Sequence, residues 1–187
     1  MATMLSALLV EIQKEFPTFR IVKKQDSFFM RVLHRLLFVV TIGKMTSFLQ
    51  QYTTTLGTTV YVPTSWELFS DVTKVVILRH ERVHMRQASR FSFLLFAFLY
   101  IFMWLPLGLS WWRAQFEMEA YAETIQADCD LGVDVKGPKY KKWMISQFTG
   151  PSYGWMWPFR KTIEQWFDTT LTRALQNDIT ARAQRGS

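Results

Sequence analysis

Two histidines and a glutamate stand close together in the segment His80-Glu81-Arg82-Val83-His84. Residues four apart on a helix project from the same side, so both imidazoles can reach one metal ion. Zinc accepts neutral imidazole nitrogens and, in catalytic sites, keeps one coordination position open for water. The glutamate beside the first histidine can take a proton from that water, whose pKa a bound metal lowers from about 15.7 to about 7. The spacing therefore indicates a candidate site for metal-assisted hydrolysis.

The pair lies on a helix that we predict over residues 72 to 90, a segment without proline or glycine. His80 and His84 align with Ile77 and Ala88, so we expect this stripe to face inward. A second stripe lies roughly opposite and is expected to form the outer face; it consists of Arg79, Arg82, Arg86 and Arg90. A chance match, or two histidines satisfied in the core, is the competing interpretation.

A third protein ligand is needed, and the composition narrows its type. The chain has one cysteine, Cys129, and three histidines. A single cysteine excludes an intramolecular disulfide and any zinc site built from several thiolates. The third histidine, His34, lies far upstream in a basic segment, where we expect a partly exposed helix position. An acidic side chain is therefore the best candidate.

The helix predicted over residues 113 to 131 supplies the acidic candidates, which are Glu117, Glu119 and Glu123. On a helical wheel Glu117 lies on the shoulder of the apolar arc, whereas the other two lie further towards solvent. Any of the three taken alone is typical of a surface carboxylate. Because the histidine pair requires a partner, the geometry favours Glu117.

Three segments together resemble the zincin-type metallopeptidases of the gluzincin kind: HERVHMRQ, a hydrophobic stretch ending in LPLGL, and RAQFEMEAYAE. The similarity covers about residues 58 to 123 and is closest to small bacterial and phage proteins with an H-E-x-x-H helix and a later F-E-x-E-A-Y helix. In related gluzincins the third ligand opens an E-x-x-A-D or E-x-x-x-D segment, which here matches Glu117 and Ala120. Tyr121 replaces the final Asp, and this departure leaves Glu119 as an alternative third ligand.

The resemblance implies a hydrolase of peptide or amide bonds, with one zinc ion held by His80, His84 and Glu117. Glu81 would be the general base that takes a proton from the attacking water. The resemblance also implies that the strand TTVYVP forms the sheet edge above the cleft, where an extended peptide could add as a further strand.

A developing oxyanion often needs another hydrogen-bond donor. Our candidate is Tyr153, in the Gly-, Pro- and aromatic-rich loop of residues 149 to 158. An aromatic loop that packs on the core is the competing interpretation, and the sequence favours it.

Hydrophobic periodicity and the resemblance together predict an α+β, zincin-like fold, with a small mixed sheet followed by the H-E-x-x-H helix and a helical C-terminal half. We expect one domain over residues 1 to 180 and a polar tail of residues 181 to 187. Helices are predicted over residues 3–15, 27–37, 72–90, 113–131, 139–148 and 159–179, and strands over 18–24, 38–42 and 58–63.

Residues 91 to 112 form a run of 22 residues without charge, bracketed by Arg90 and Arg113. A helix of that length, roughly 33 Å, could cross a bilayer. Pro106 and Gly108 interrupt it, however, and a single crossing would separate the two ligand-bearing helices. A helical hairpin that is buried or covered by a protein partner is therefore favoured, followed by contact with a membrane surface and then by a true span.

The charge and the N-terminus bear on partners and location. Lys and Arg number 22 against 15 Asp and Glu, which gives a net charge of +7. No recognised nucleic-acid module accompanies this charge, so a nucleic-acid partner is not expected. The N-terminal segment lacks a basic region and a cleavage site, so we expect a cytoplasmic protein that is optionally membrane-associated or part of a phage particle.

Two functions compete with hydrolysis. The first is a non-enzymatic structural or interaction protein, for example a phage particle component, whose zinc site is structural or vestigial. The second is a binder of nucleic acid or anionic membranes. The substrate, the identity of the metal beyond a preference for zinc, and the oligomeric state stay open from the sequence.

Overall fold

The computed structural model describes residues 3–28, 30–31, 53–91, 111–150 and 156–185. Within them the protein is α+β and mostly helical, as predicted, with five α-helices and a three-stranded mixed sheet. The helices are α1 (Met4–Glu15), α2 (Asp71–Phe91), α3 (Trp111–Asp130), α4 (Pro138–Thr149) and α5 (Arg160–Arg185). The strands are β1 (Arg20–Lys23), β2 (Thr54–Leu56) and β3 (Thr59–Val62). The chain divides into two compact units, Met1–Met85 and Arg86–Ser187, with the boundary inside α2.

The sheet of the first unit has β3 at its centre. β1 pairs with β3 in parallel and places Ile21 opposite Val60, whereas β2 pairs antiparallel and places Thr55 opposite the same residue. Val60 and Val62 are fully buried, as expected for a strand with neighbours on both sides. The prediction that the TTVYVP strand forms the sheet edge is therefore wrong, because both of its sides are paired.

The sequence does not predict β2, which arises from a tight hairpin. Leu56 pairs with Thr59, which leaves a two-residue loop of Gly57 and Thr58. Gly57 has a φ of 59°, a conformation that glycine adopts without the steric cost of a Cβ and that two-residue hairpins favour. Among the described residues β1 and β2 pair only with β3, so they are the edges of the sheet.

Helix α1 covers part of the surface predicted as the outer face of the histidine helix. Arg82 donates from Nε to Glu15 at 2.6 Å and from Nη1 to Glu11 at 3.2 Å. Its side chain is only 19% exposed. The arginine stripe is therefore only partly exposed to solvent, because Arg82 is covered by α1 and bonded to its two glutamates.

Helix α2 begins at a well-formed cap and continues without interruption. The Ser70 hydroxyl oxygen accepts the backbone N–H of Thr73 at 3.1 Å, which satisfies one of the free donors of the first turn. Leu78 and Met85 are buried along its length. A continuous, capped helix at this point holds His80 and the residue four positions later at the spacing that the sequence predicted.

The second unit is helical, and α3 and α4 both pack against α5. The predicted apolar arc of α3 consists of Ala114, Met118, Tyr121, Ala122 and Ile125, and all of these are buried except Ala122, which is half-buried. Gly132, with a φ of 73°, follows the C-terminus of α3. Helix α5 continues through Arg185, beyond its predicted end at residue 179 and into the segment predicted as a polar tail.

Several predictions fall outside the described residues: most of the helix over 27–37, the strand over 38–42, residues 92 to 110 of the apolar stretch, His34 and Tyr153. Among the described residues no helix is long and apolar enough to cross a membrane. A partner or a membrane surface at residues 91 to 112 therefore stays a prediction.

Candidate metal centre

Helices α2 and α3 contribute three metal-ligating side chains to one cluster. His80, His84 and Glu117 each offer a ligand atom, and these atoms all lie within 4.8 Å of one another. His84 and Glu117 are buried and His80 is half-buried. The structure thus brings together the two histidines and the glutamate that the helical wheel favoured.

The histidine pair has a spacing that suits a shared ion. The Nε2 atoms of His80 and His84 are 3.2 Å apart, and the two rings are inclined at 74°. Around a tetrahedral ion with bonds of about 2.0–2.1 Å, neighbouring ligand atoms stand about 3.3–3.4 Å apart. The two nitrogens therefore lie nearly where a zinc ion needs them, and a ligand atom of Glu117 lies within 4.8 Å of the histidine ligand atoms.

The burial of Glu117 is unusual for a carboxylate. Its residue is only 1% exposed. Removing a carboxylate from water is costly unless positive charge or hydrogen-bond donors compensate for it. A cation held between Glu117 and the two imidazoles would supply such compensation, so the donor set and the burial both fit a divalent metal.

The alternative third ligand, Glu119, lies in a different environment. One of its carboxylate oxygens accepts from the side-chain amide of Gln87 at 2.9 Å, and the other accepts from Arg90 at 3.2 Å. Its side chain is about half exposed, at 48%. Glu119 is therefore engaged by two donors from α2, whereas Glu117 belongs to the cluster.

Glu81 is held from the sheet. The Thr55 hydroxyl donates to Glu81 Oε2 at 2.6 Å, a short distance that is typical of a bond to a charged carboxylate. Glu81 is buried, at 6% exposure. On α2 it lies next to His80 and three residues before His84, so its side chain can approach the space beside a shared ion. Its orientation is restrained by a residue of β2.

A buried lysine lies close enough to Glu81 for the two charges to interact. Lys24 follows β1 and is 0% exposed. Burial lowers the pKa of Lys24 to about 7, against an opposing effect from the negative charge of Glu81. The carboxylate of Glu81 thus has a hydroxyl on one strand and a buried amine, that of Lys24, at the end of another as neighbours.

Cys129, the only cysteine, does not join the cluster. It is buried in the core of the second unit. Burial, followed by the nearby carboxylates of Asp178, Asp130 and Asp128, raises the pKa of its thiol. A thiol held in its neutral form is a poor metal ligand.

Sequence reasoning found the three residues of the cluster but missed the groups around them and around Glu81: Lys24, Thr55 and Gln87. Thr55 contacts a residue 26 positions away, and no local pattern predicts such a pairing. Gln87 carried a usable signal, because it lies nearly one turn beyond His84 and on the side of α2 that the inward stripe occupies.

Comparison of this chain with protein-family models, with curated proteins and with solved structures finds no match.

Proposed function

We propose that this protein is a zinc-dependent hydrolase of zincin-like architecture that cleaves a peptide or amide bond. The observation that carries the proposal is the convergence of His80, His84 and Glu117 within 4.8 Å. Two imidazoles and one carboxylate are the ligand set of several catalytic zinc sites, in which a fourth position receives water.

The proposed roles divide between the metal and the protein. A bound zinc ion would lower the pKa of its water and polarise the scissile carbonyl. Glu81 accepts the proton of the attacking water and passes it to the leaving nitrogen. Thr55 keeps the Glu81 side chain in one orientation through its hydroxyl. This restraint reduces the rearrangement needed for the proton transfer.

The topology of the sheet supports an extended substrate. β2 carries Thr55, which contacts Glu81, and among the described residues β2 pairs only with β3. An extended peptide that added to the other side of β2 would run close to the general base. The strand proposed to bind the substrate is therefore β2, in place of β3, the TTVYVP strand expected from the sequence.

A structural metal site is the second candidate, and the surroundings of Glu81 are the observation that favours it. Glu81 is bonded to Thr55 and lies close to Lys24, and buried polar contacts of this kind also occur where a carboxylate only stabilises the fold. A protein of this kind would bind zinc without turning over any amide bond.

Glu81→Gln separates the two candidates. We expect wild type to cleave members of a random peptide mixture, detected by mass spectrometry. The amide introduced by the substitution cannot accept a proton, so the rate should fall by about 100- to 10,000-fold. Bound zinc, measured by elemental analysis, should be unchanged, because Glu81 is not among the three ligands.

The matched control is Glu67→Gln, which alters an exposed glutamate that pairs with Lys23 and should leave the rate unchanged. Wild-type rates in Glu81→Gln would refute the role of Glu81. Zinc binding by a wild-type protein that cleaves no peptide would favour the structural site.

A further inference from the structure

The side chain of Gln87 is completely buried, at 0% exposure. Its Nε2 donates to the backbone carbonyl of Phe116 at 3.0 Å and to Glu119 Oε2 at 2.9 Å. Both partners are acceptors, so the amide must present its nitrogen to them, and both of its N–H groups are used. Gln87 therefore makes a bridge from α2 to two points on α3.

Those two points flank the proposed third ligand, Glu117, in the sequence of α3. Phe116 immediately precedes Glu117 and Glu119 follows it by two positions. On α2, Gln87 lies three residues after His84, which is nearly one helical turn and about 4.5 Å along the axis. The bridge thus forms about one turn away from the ligand histidine and fixes the backbone on which Glu117 is carried.

We propose that Gln87 is a positioning residue for the metal centre, whose buried amide holds the Glu117 segment of α3 at the distance from His84 that shared metal binding requires. This inference rests on the proposed metal site and adds a residue that the ligand set does not include. It also assigns Glu119 a role as the charged acceptor of the bridge.

The exposed ion pair between Arg90 and Glu119 contributes less to this arrangement. The two side chains are 62% and 48% exposed, with 3.2 Å between Nη1 and Oε1, and exposed pairs of this kind are weak and screened by salt. The bridge from Gln87 is buried. A buried donor or acceptor that loses its hydrogen-bond partner destabilises the protein more than the loss of an exposed ion pair does. Gln87 should therefore dominate the positioning.

The test is the zinc affinity of Gln87→Met, measured by competition with a chromophoric chelator. Methionine matches the length and helix propensity of glutamine but offers no N–H donor. We expect zinc to bind about 10- to 100-fold more weakly, the range found when groups that orient metal ligands are removed. Far-UV circular dichroism should show an unchanged helix content.

Gln126→Met is the matched control. Gln126 lies on α3, where it donates to Asp130 and accepts from Asn177, and neither of these partners belongs to the metal cluster. Its replacement should leave the zinc affinity unchanged. Wild-type affinity in Gln87→Met would overturn the positioning role while leaving the metal site intact. Failure of wild type to bind zinc would overturn both proposals.

A charge-swapped pair keeps the inference testable if Gln87→Met does not fold. Gln87→Glu places a carboxylate against Glu119 and should weaken zinc binding strongly. Adding Glu119→Gln restores a donor–acceptor pair between the two positions with its direction reversed. The Phe116 carbonyl still receives no donor from position 87, so only part of the affinity should return. A double variant that binds no better than Gln87→Glu alone would contradict the proposal, since a bridge that positions Glu117 must respond to its own restoration.

Discussion

The two acidic side chains of the candidate site, Glu81 and Glu117, are both buried, but they lie in different surroundings. Glu81 has a hydroxyl donor from Thr55 and the buried amine of Lys24 nearby, both contributed by the strands and connections of the sheet. Glu117 has the two imidazoles as neighbours, and the backbone beside it is held by the neutral amide of Gln87. One region restrains a single side chain, and the other restrains a segment of helix.

This difference suggests a division of work. Groups around Glu81 act on a carboxylate that is not a ligand, so altering them should change hydrolysis and leave metal binding unaffected. Groups around Glu117 act on a proposed ligand, so altering them should change metal affinity first. The two regions can therefore be distinguished by measuring a rate and a dissociation constant on the same variants.

The largest expected effect on the sheet side concerns Lys24. Its pKa is about 7 in the folded protein and 10.5 in its ordinary state. Between these values the unfolded chain holds a proton that the folded chain lacks, so stability should rise with pH from about 7 to about 10.5. At about 1.4 kcal/mol per pKa unit the change amounts to a few kcal/mol.

Lys24→Met should remove this rise, as measured by chemical denaturation of the metal-free protein at several pH values. Lys23→Met is the control, because it alters a partly exposed lysine that pairs with Glu67 and leaves Lys24 in place. If the free energy of unfolding depends on pH in the same way in wild type and in Lys24→Met, Lys24 is solvated in the folded protein. A buried lysine would then no longer distinguish the surroundings of Glu81 from those of Glu117.

A smaller effect is expected for Thr55→Val, which removes one hydroxyl with little change in shape. Hydrogen bonds to charged groups contribute about 1.5–3 kcal/mol to stability. If a similar amount is lost from the transition state, the rate falls at least tenfold, because about 1.4 kcal/mol corresponds to a factor of ten. We expect kcat for the best peptide in the mixture to fall about tenfold or more, with KM and the zinc dissociation constant unchanged.

Thr55→Ser keeps the hydroxyl and should retain most of the activity. Thr54→Val makes the same change one position earlier on β2, where the side chain points to the other face of the sheet, and should have no effect on kcat. A zinc affinity that falls in Thr55→Val would break the proposed division, because it would link the sheet side to metal binding.

The three residues of the cluster were predictable because each carries a signal within its own helix. His80 and His84 are related by helical spacing alone, and the choice of Glu117 over Glu119 follows from the apolar arc of α3, which is buried at Ala114 and Met118. Periodicity also predicted the five helices of the described residues to within a few residues at most of their ends, because a long apolar stripe at helical spacing is typical of an amphipathic helix.

The arrangement of the sheet was not predictable in the same way. β2 has only three residues, and its pairing with β3 depends on the positive φ of Gly57. The parallel pairing of β1 with β3 joins segments that lie far apart in the sequence. Because Lys24 and Thr55 reach Glu81 through these pairings, their roles could be found only once the sheet was known.

Zinc content in Glu117→Ala and Glu119→Ala, beside wild type, tests the central claim most directly. The two changes are identical in kind and two residues apart, and elemental mass spectrometry after dialysis measures the metal independently of any substrate. We predict near-stoichiometric zinc in wild type and none in Glu117→Ala. Glu119→Ala should retain most of the zinc, because it keeps the three proposed ligands and the bond from Gln87 to the Phe116 carbonyl. Zinc that survives in Glu117→Ala, or that disappears only in Glu119→Ala, would contradict the assignment of the metal centre.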